Sequence, residues 1–107
     1  MKQKVCVDFD GVLNNYRYFD KDNLFKPRPG AKEFMERLSQ DYIVIIFTAR
    51  DTSKVQEWLD MYEFKYEKVT NVKEGAIAYI DDRAIHFDGN YKRTLHTLDS
   101  FKTYWEL

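Results

Sequence analysis

The first apolar segment of the chain is short and ends in acidic residues. Residues 5–10 form an apolar run that carries aspartates at its end, a pattern that predicts a buried strand. Residues 11–28 follow with polar and aromatic side chains that have no helical or strand period, so we expect a long loop, here called the flap. Pro27, Pro29 and Gly30 close the flap, and proline is favoured in the first turn of a helix. The chain is therefore expected to open with a strand, a flap and the start of a helix.

Three later segments have the apolar spacing of amphipathic helices. The first has apolar residues at i, i+3, i+4 and i+7, and the second has a similar stripe next to a pair with capping-box spacing. The apolar positions of the first segment are Ala31, Phe34, Met35 and Leu38. Those of the second are Val55, Trp58, Leu59 and Tyr62, and its capping-box pair is Ser53 and Gln56. Gly89 and Asn90 predict a turn, after which Tyr91, Leu95 and Leu98 predict a last helix.

Further strands are predicted between these helices. Tyr42–Phe47 is a continuous run of β-branched and aromatic residues, typical of a strand that is buried on both faces. Residues 76–80 form another candidate strand, and residues 66–70 and 84–87 are weaker ones. Strands that alternate with helices predict an α/β fold, a Rossmann-like three-layer sandwich with a mostly parallel sheet and helices on both faces. At 107 residues, one domain spanning residues 1–107 is expected.

Charge and cysteine content change this picture little. A formal net charge of -1 gives no overall positive field, so membrane binding is not expected and a nucleic-acid substrate gains no support. Cys6 is the only cysteine, which excludes an internal disulfide, and its place in an apolar strand favours a buried, unreactive thiol. No signal-peptide pattern and no stretch able to span a bilayer are found, so a cytoplasmic protein is expected.

Polar residues able to carry chemistry follow three of the predicted strands. They are Asp8 and Asp10, Thr48 and Arg50, and Asp81 and Asp82, in chain order. Because the carboxyl ends of parallel strands meet at one edge of a sheet, we expect these side chains to cluster there. Asp8 and Asp10, as alternate residues of a strand, would share one face. Neighbouring carboxylates stay ionised only beside a cation, and their oxygens suit a hard ion such as Mg²⁺.

Taken in order, these residues resemble the motifs of the haloacid dehalogenase superfamily, most of whose members are phosphatases. Residues 8–12 (DFDGV) match the first motif, and residues 47–50 (FTAR) match the second. Lys73 matches the lysine of the third motif, and residues 79–82 (YIDD) match the acidic fourth motif. The resemblance implies Mg²⁺-dependent hydrolysis of a phosphomonoester through an aspartyl-phosphate intermediate.

The resemblance also implies roles for the acidic residues. Asp8 would attack phosphorus, and Asp10 would protonate the leaving oxygen and then activate the water that cleaves the intermediate. Mg²⁺ would lie between Asp8, Asp81 and the phosphate, with the backbone carbonyl of Asp10 as a further ligand. For Asp82, a metal ligand, a partner of a ligand and a helix cap are all consistent with the sequence.

Thr48, Ala49, Arg50 and Lys73 are the candidates for holding the substrate phosphate. The Thr48 hydroxyl would bind a phosphate oxygen, and Lys73 would neutralise charge on Asp8 and on the transferred group. Arg50 has two interpretations, contact with the phosphate or pairing with an acid such as Asp51 or Asp82. His86 and His96 have no partner at ligand spacing and are expected at the surface or in packing.

The chain has no room for the cap domain of larger members of the superfamily. An open site suits bulky substrates such as nucleotides, nucleic-acid ends, sugar phosphates or phosphoproteins, and a homodimer that closes the site is a further hypothesis. The flap could contribute through stacking on a base or sugar, or could merely pack onto the body. Its aromatic residues are Tyr16, Tyr18, Phe19 and Phe25, and its charged residues are Arg17, Lys21, Lys26, Arg28, Asp20 and Asp22.

Two non-catalytic functions compete with a hydrolase. One is a phospho-acceptor signalling module, which also places acids, a threonine and a lysine on a small parallel sheet. Such modules place the paired acids first, whereas here the DxD pattern comes first and the adjacent pair, Asp81 and Asp82, comes last. The other is a binding module with a degenerate site, but the acids and Lys73 are intact. The order and completeness of the motifs favour the hydrolase.

Overall fold

A computed structural model of the chain describes residues 1–106 and contains one parallel sheet flanked by helices. Its elements are β1 (Gln3–Asp8), α1 (Ala31–Asp41), β2 (Tyr42–Phe47), α2 (Thr52–Met61), β3 (Lys68–Thr70), β4 (Ala78–Ile80) and α3 (Tyr91–Asp99). The strands pair in parallel in the order β3-β2-β1-β4, so that β1 lies inside the sheet. The predicted α/β class and parallel sheet are confirmed.

The hydrophobic core lies on one face of the sheet. Val5 and Val7 of β1 and Val44 and Ile46 of β2 point to this face, because alternate residues of a strand share a side. The apolar stripes of α1 and α2 pack against them, as their spacing predicts. The other members of this core are Phe9, Leu13, Ala31, Met35, Val55, Trp58, Leu59 and Phe64.

The connection between β3 and β4 lies over the opposite face. Cys6 and Ile45 point to that side and are only 2% and 1% exposed. Glu74 of the connection is 2.7 Å from the ammonium of Lys68 and 3.9 Å from that of Lys4, which project from β3 and β1. Burial raises the pKa of the Cys6 thiol, and the prediction of a buried cysteine is confirmed.

β1 begins and ends two residues before its predicted bounds, β3 and β4 each begin two residues after theirs, and one predicted strand does not form. β1 ends at Asp8 because the chain turns at Phe9, whose carbonyl accepts a hydrogen bond from the backbone N–H of Leu13 at 3.0 Å. Asp10 is therefore a turn residue, and strand alternation does not position it. The predicted strand at residues 84–87 is wrong, because this segment lines a cleft beside α3 and does not extend the sheet.

α3 forms where its sequence predicts, but its apolar stripe is not buried. Tyr91, Leu95 and Leu98 are 77%, 63% and 58% exposed. His86 and His96 are exposed as well, in agreement with their expected place at the surface. Within residues 1–106, no helix has the length and apolar character needed to cross a membrane.

The flap is folded back onto the body of the protein. Its two arms meet at an isolated antiparallel bridge between Asn14 and Pro27. The indole N–H of Trp58 in α2 donates a hydrogen bond of 2.9 Å to the carbonyl of Phe25. This bond and the burial of Leu13 in the core fix both arms to the sheet and helix layer.

The four flap aromatics divide into two pairs. Tyr16 and Phe25 are partly buried and contact each other edge to face, with ring centroids 6.1 Å apart. Tyr16 also contacts Trp105, with centroids 5.2 Å apart. Tyr18 and Phe19 are 59% and 66% exposed. Packing therefore accounts for the first pair, while the second pair makes single contacts, Tyr18 with Phe25 and Phe19 with Arg50, and stays largely exposed.

Candidate active site

The carboxyl ends of β1, β2 and β4 bring the predicted site residues to one edge of the sheet. Asp8 is the last residue of β1, and Thr48 follows β2 directly. Asp81 and Asp82 follow β4, which pairs with β1. The bond from the Thr48 backbone N–H to the carbonyl of Thr70, at 3.0 Å, continues the ladder past β2 and fixes this edge.

Three carboxylates form a compact cluster at this edge. Oxygen atoms of Asp8, Asp81 and Asp82 all lie within 4.8 Å of one another. Among the described residues, Asp82 Oδ1 is buried without a hydrogen-bond partner, an arrangement that is unfavourable for a carboxylate oxygen unless a cation or proton faces it. Hard cations such as Mg²⁺ bind carboxylate oxygens, so the donor set fits the metal that the sequence predicts.

The surroundings of Asp8 in this cluster disfavour its ionised form. Burial, the closely placed carboxyl group of Asp82 and the negative charges of Asp81, Asp82 and Asp10 raise the pKa of Asp8 from 3.8 to about 9. Each of these effects disfavours the ionised form of Asp8, and burial has the largest effect. A cation held by these carboxylates would oppose the effect of the negative charges and lower the pKa of Asp8.

Gly11 allows Asp82 to approach the first motif. Its φ of +83° lies in the left-handed region, and a Cβ at this position would overlap the Asp82 carboxylate, with the Cγ of Asp82 only 2.7 Å away. Glycine is therefore required here both by conformation and by space.

Gly11→Ala is expected to unfold the site locally and to weaken metal binding. The backbone strain alone is about 1–2 kcal/mol, and displacement of Asp82 adds to it. Gly89→Ala is the matched control, because Gly89 has φ of +94° and open space around it. Thermal unfolding should show a clearly larger loss for Gly11→Ala, and calorimetric Mg²⁺ titration should show weaker binding in that variant only. Equal effects of the two substitutions would contradict this role of Gly11.

Asp10 is held by two side chains that approach its carboxylate. The guanidinium Nε of Arg50 donates to its oxygens at 2.8 and 3.1 Å, and the Arg50 side chain is 3% exposed. Asn14 Nδ2 donates to Asp10 Oδ1 at 2.8 Å, while Asn14 Oδ1 accepts from the Gly11 backbone N–H at 2.9 Å. Sequence reasoning missed Asn14, because a single asparagine in an aperiodic segment gives no signal of burial.

Arg50 also ties the flap to the site. Its Nη1 donates to the carbonyl of Asp20 at 2.7 Å and its Nη2 to that of Asn23 at 3.3 Å. The ring of Phe19 lies over the guanidinium, with 5.2 Å between the ring centroid and Cζ. Of the acids considered from sequence as partners of Arg50, neither is used, and Asp10 takes that place. Asp10 and the flap therefore share one buried cation.

Thr48 and Lys73 occupy different positions relative to Asp8. Thr48 is 1% exposed, and its Oγ1 accepts a hydrogen bond from the Arg50 backbone N–H at 3.0 Å. Lys73 lines a cleft of about 200 Å³ that also contains Asp8, and its Nζ lies 4.9 Å from the centroid of the Tyr79 ring. Lys73 therefore faces the cleft, and the described structure contains no ion pair between Lys73 and Asp8.

A second cleft, of about 270 Å³, lies between the flap and the start of α2. Ala49 is exposed and lines it, together with Lys21 and Lys54. Asp51 also lines this cleft and caps α2, and hydrogen bonds from the Ser53 hydroxyl at 2.6 Å and the Ser53 backbone N–H at 2.9 Å lower the pKa of Asp51. The second cleft therefore carries the ionised Asp51 carboxylate beside the two lysines.

The C-terminal segment returns to the site, which sequence reasoning did not predict. The Tyr104 hydroxyl donates to the carbonyl of Gly11, and the Trp105 indole N–H donates to Asp82 Oδ2 at 2.5 Å. The guanidinium of Arg83 lies 5.1 Å from the Trp105 ring centroid. No periodic pattern marks these aromatics, since they follow α3 in an irregular segment.

Comparison with known proteins agrees with this fold. A solved structure from Bacteroides thetaiotaomicron, described as a conserved protein coded by locus, superposes with a TM-score of 0.65 at 20% sequence identity. The alignment covers 97% of this chain and 95% of that chain, and at this identity it supports the fold alone. A comparison with curated proteins finds no significant match.

A match to a family model assigns the chain to a protein family. The model of NLI interacting factor-like phosphatases matches residues 3–104, a span that contains the strands and the acidic cluster. The motif order read from the sequence agrees with this assignment. The chain therefore belongs to the NLI interacting factor-like phosphatase family, a haloacid dehalogenase-like phosphatase family.

Proposed function

We propose that this protein is a Mg²⁺-dependent phosphomonoester hydrolase that uses Asp8 as its nucleophile. The observation that carries the proposal is the cluster of Asp8, Asp81 and Asp82, with the buried, unpartnered Oδ1 of Asp82 inside it. Membership of a phosphatase family supports the reaction type. Asp8, Asp81 and Asp82 would hold the metal together with the backbone carbonyl of Asp10. When bound, Mg²⁺ would supply positive charge that screens the repulsion between the Asp8 carboxylate and the phosphate.

Asp8 is suited to attack by its place at the end of β1. Its carboxylate oxygen would form a bond to phosphorus as the bond to the leaving oxygen breaks, giving an aspartyl-phosphate and an alcohol. The cleft of about 200 Å³ beside it has room for a phosphate group. Lys73 lines the same cleft and would neutralise negative charge on the transferred group.

Asp10 is assigned as the general acid and base. It would give a proton to the leaving oxygen in the first step, and take one from the attacking water in the second. The water oxygen would then bond to phosphorus, releasing inorganic phosphate and regenerating the Asp8 carboxylate. Arg50 and Asn14 fix the Asp10 carboxylate, whose side chain is 23% exposed and so has an open edge for the substrate.

The remaining assignments concern phosphate binding. We assign the Thr48 hydroxyl to a phosphate oxygen and Ala49 to the wall of the second cleft. Arg50 was a candidate for direct phosphate contact, but its Nε, Nη1 and Nη2 all have partners. We therefore assign Arg50 to holding Asp10 and the flap.

The substrate is a phosphorylated molecule whose class we leave to experiment. We propose one catalytic domain over residues 1–107, with the flap and the C-terminal segment lying beside the site. Such a site accepts a nucleotide, a nucleic-acid end, a sugar phosphate or a phosphoprotein equally well on steric grounds. The exposed Tyr18 and Phe19 give the flap two aromatic side chains for a base or another flat group.

Hydrolysis of an aryl phosphate, with Mg²⁺ and then with excess chelator, tests this proposal. Continuous phosphate release that needs Mg²⁺ and returns when Mg²⁺ is restored is the expected result. A single stoichiometric phosphorylation by a small phosphodonor, without turnover, would instead support a phospho-acceptor module. No release from aryl phosphate, nucleotides, sugar phosphates or a phosphopeptide, by protein shown calorimetrically to bind Mg²⁺, would contradict the hydrolase.

A further inference from the structure

Trp105 touches the acidic cluster from the far end of the chain. Its indole N–H donates to Asp82 Oδ2 at 2.5 Å, across 23 positions of sequence. The other oxygen of the same carboxylate, Oδ1, is buried and has no partner among residues 1–106. The indole N–H can only donate, so it engages one oxygen of the Asp82 carboxylate, Oδ2. The second oxygen, Oδ1, is then the one available to the acidic cluster.

We propose that Trp105 is a positioning residue for the metal site, acting through Asp82. The inference rests on the proposed function, since it takes the cluster to be the Mg²⁺ site. A carboxylate with one oxygen engaged by Trp105 keeps its other oxygen, the buried Oδ1, available as a ligand beside Asp8 and Asp81. Partners that orient metal-binding side chains in this way typically change metal affinity by about 10–100-fold.

The surroundings of Trp105 hold it in this orientation. The Tyr16 ring meets it edge to face with centroids 5.2 Å apart, and the Arg83 guanidinium lies 5.1 Å from its ring centroid. The neighbouring Tyr104 hydroxyl bonds to the Gly11 carbonyl, a further contact of the segment that does not involve Trp105. Gly11 itself leaves the space that Asp82 occupies between these groups.

Trp105 lies one residue beyond the stretch that matches the family model, residues 3–104. The family assignment therefore gives this side chain no role. The contact is a property of this chain, carried by the way residues 101–106 fold back from α3 onto the carboxyl ends of β1 and β4.

The indole N–H signals provide a direct test. The chain has two tryptophans, so the heteronuclear NMR spectrum of the full-length protein should contain two indole N–H peaks. Trp58 donates to the backbone carbonyl of Phe25 rather than to a carboxylate, and serves as the internal reference. On titration with MgCl₂, the Trp105 peak should shift along the calorimetric binding curve, while the Trp58 peak stays in place.

Two variants separate the hydrogen bond from docking of the segment. Trp105→Phe keeps an aromatic ring against Tyr16 but removes the N–H, and should weaken Mg²⁺ binding about 10-fold or more by calorimetry. Tyr104→Phe is the matched control, because it removes a hydroxyl from the same segment that does not contact a carboxylate. Its Mg²⁺ affinity should stay within about 3-fold of the parent protein.

The outcomes distinguish this inference from the proposed function. If the parent protein binds no Mg²⁺, both the metal site and this inference fail. If it binds Mg²⁺ but the Trp105 peak does not move and Trp105→Phe binds equally well, the positioning role is overturned and the hydrolase stands. An equal loss in Tyr104→Phe would also overturn it, because docking of the segment would then explain the effect.

Discussion

Asp8→Asn is expected to abolish phosphate release while stabilising the metal-free protein at alkaline pH. Loss of the nucleophile should lower kcat by about 10⁴-fold or more, because removal of a covalent nucleophile leaves only binding and electrostatic contributions to rate. The amide keeps the size of the carboxyl group and removes its charge. Activity and stability should therefore change in opposite directions, which general misfolding cannot produce.

The stability effect follows from the pKa of Asp8. In the metal-free protein this pKa is raised from 3.8 to about 9, so between these values the folded state holds a proton that the unfolded state has lost. Folding stability contributed by this group therefore falls as pH rises across that window. The advantage of Asp8→Asn over the parent protein should be larger at about pH 8 than at about pH 5, by roughly 1–3 kcal/mol.

Chemical denaturation at the two pH values, with and without Mg²⁺, measures this effect. Mg²⁺ should stabilise the parent protein at alkaline pH and leave Asp8→Asn nearly unchanged, since binding to the folded state alone raises stability. Asp99→Asn is the control, because Asp99 is exposed at the end of α3, outside the acidic cluster. A destabilised Asp8→Asn protein, or one that still turns over substrate, would contradict the assignment of Asp8.

Asp10→Asn is expected to reduce turnover by about 10²–10⁴-fold, with a loss that depends on the leaving group. Asn keeps one of the two oxygens that accept from Arg50 and Asn14 but loses the charge that faces the buried Arg50, so the variant should fold with reduced stability, which thermal unfolding measures. It cannot deliver a proton, and an alkyl phosphate needs that proton more than a nitrophenyl phosphate does. Phosphorylation of Asp8 should therefore slow much more with the alkyl ester.

The decisive comparison is the ratio of kcat/KM values for the two esters. This ratio should favour the nitrophenyl ester more strongly in Asp10→Asn than in the parent protein. Arg37→Lys is a control on the surface, where Arg37 forms an exposed ion pair with Asp41 of α1. The same fractional loss for both esters would show that Asp10 does not act as the general acid.

The fold was predictable wherever local pattern decides structure. The β-branched run Tyr42–Phe47 became β2, and the stripe containing Met35 packs against the sheet in α1. The end of β1 was misplaced, because the apolar character of residues 5–10 continues past Asp8 while the backbone turns at Phe9. Exposure of the Leu95 stripe was also unpredicted, since spacing identifies a helix but not the surface that it meets.

The clustering of the acidic residues in the candidate site was predictable from the sequence. The side chains that contact and orient these acids were not. Asp8, Asp81 and Asp82 meet because parallel strands end at one edge, a rule that needs only strand order. The pairing of Arg50 with Asp10 and the approach of Trp105 to Asp82 span 40 and 23 positions. Such contacts depend on how the flap and the C-terminal segment pack, which no periodicity in this sequence encodes.

The measurement that bears most directly on Asp8 as the nucleophile is mass spectrometry of acid-quenched protein during turnover. Asp10→Asn is the suitable form, because a nitrophenyl ester should still phosphorylate Asp8 while the water step lacks its base. We predict a phosphoryl adduct that accumulates with substrate and Mg²⁺ and maps to the peptide containing Asp8. An adduct on another residue, or none while the parent protein hydrolyses the same ester under the same quench, would contradict the mechanism.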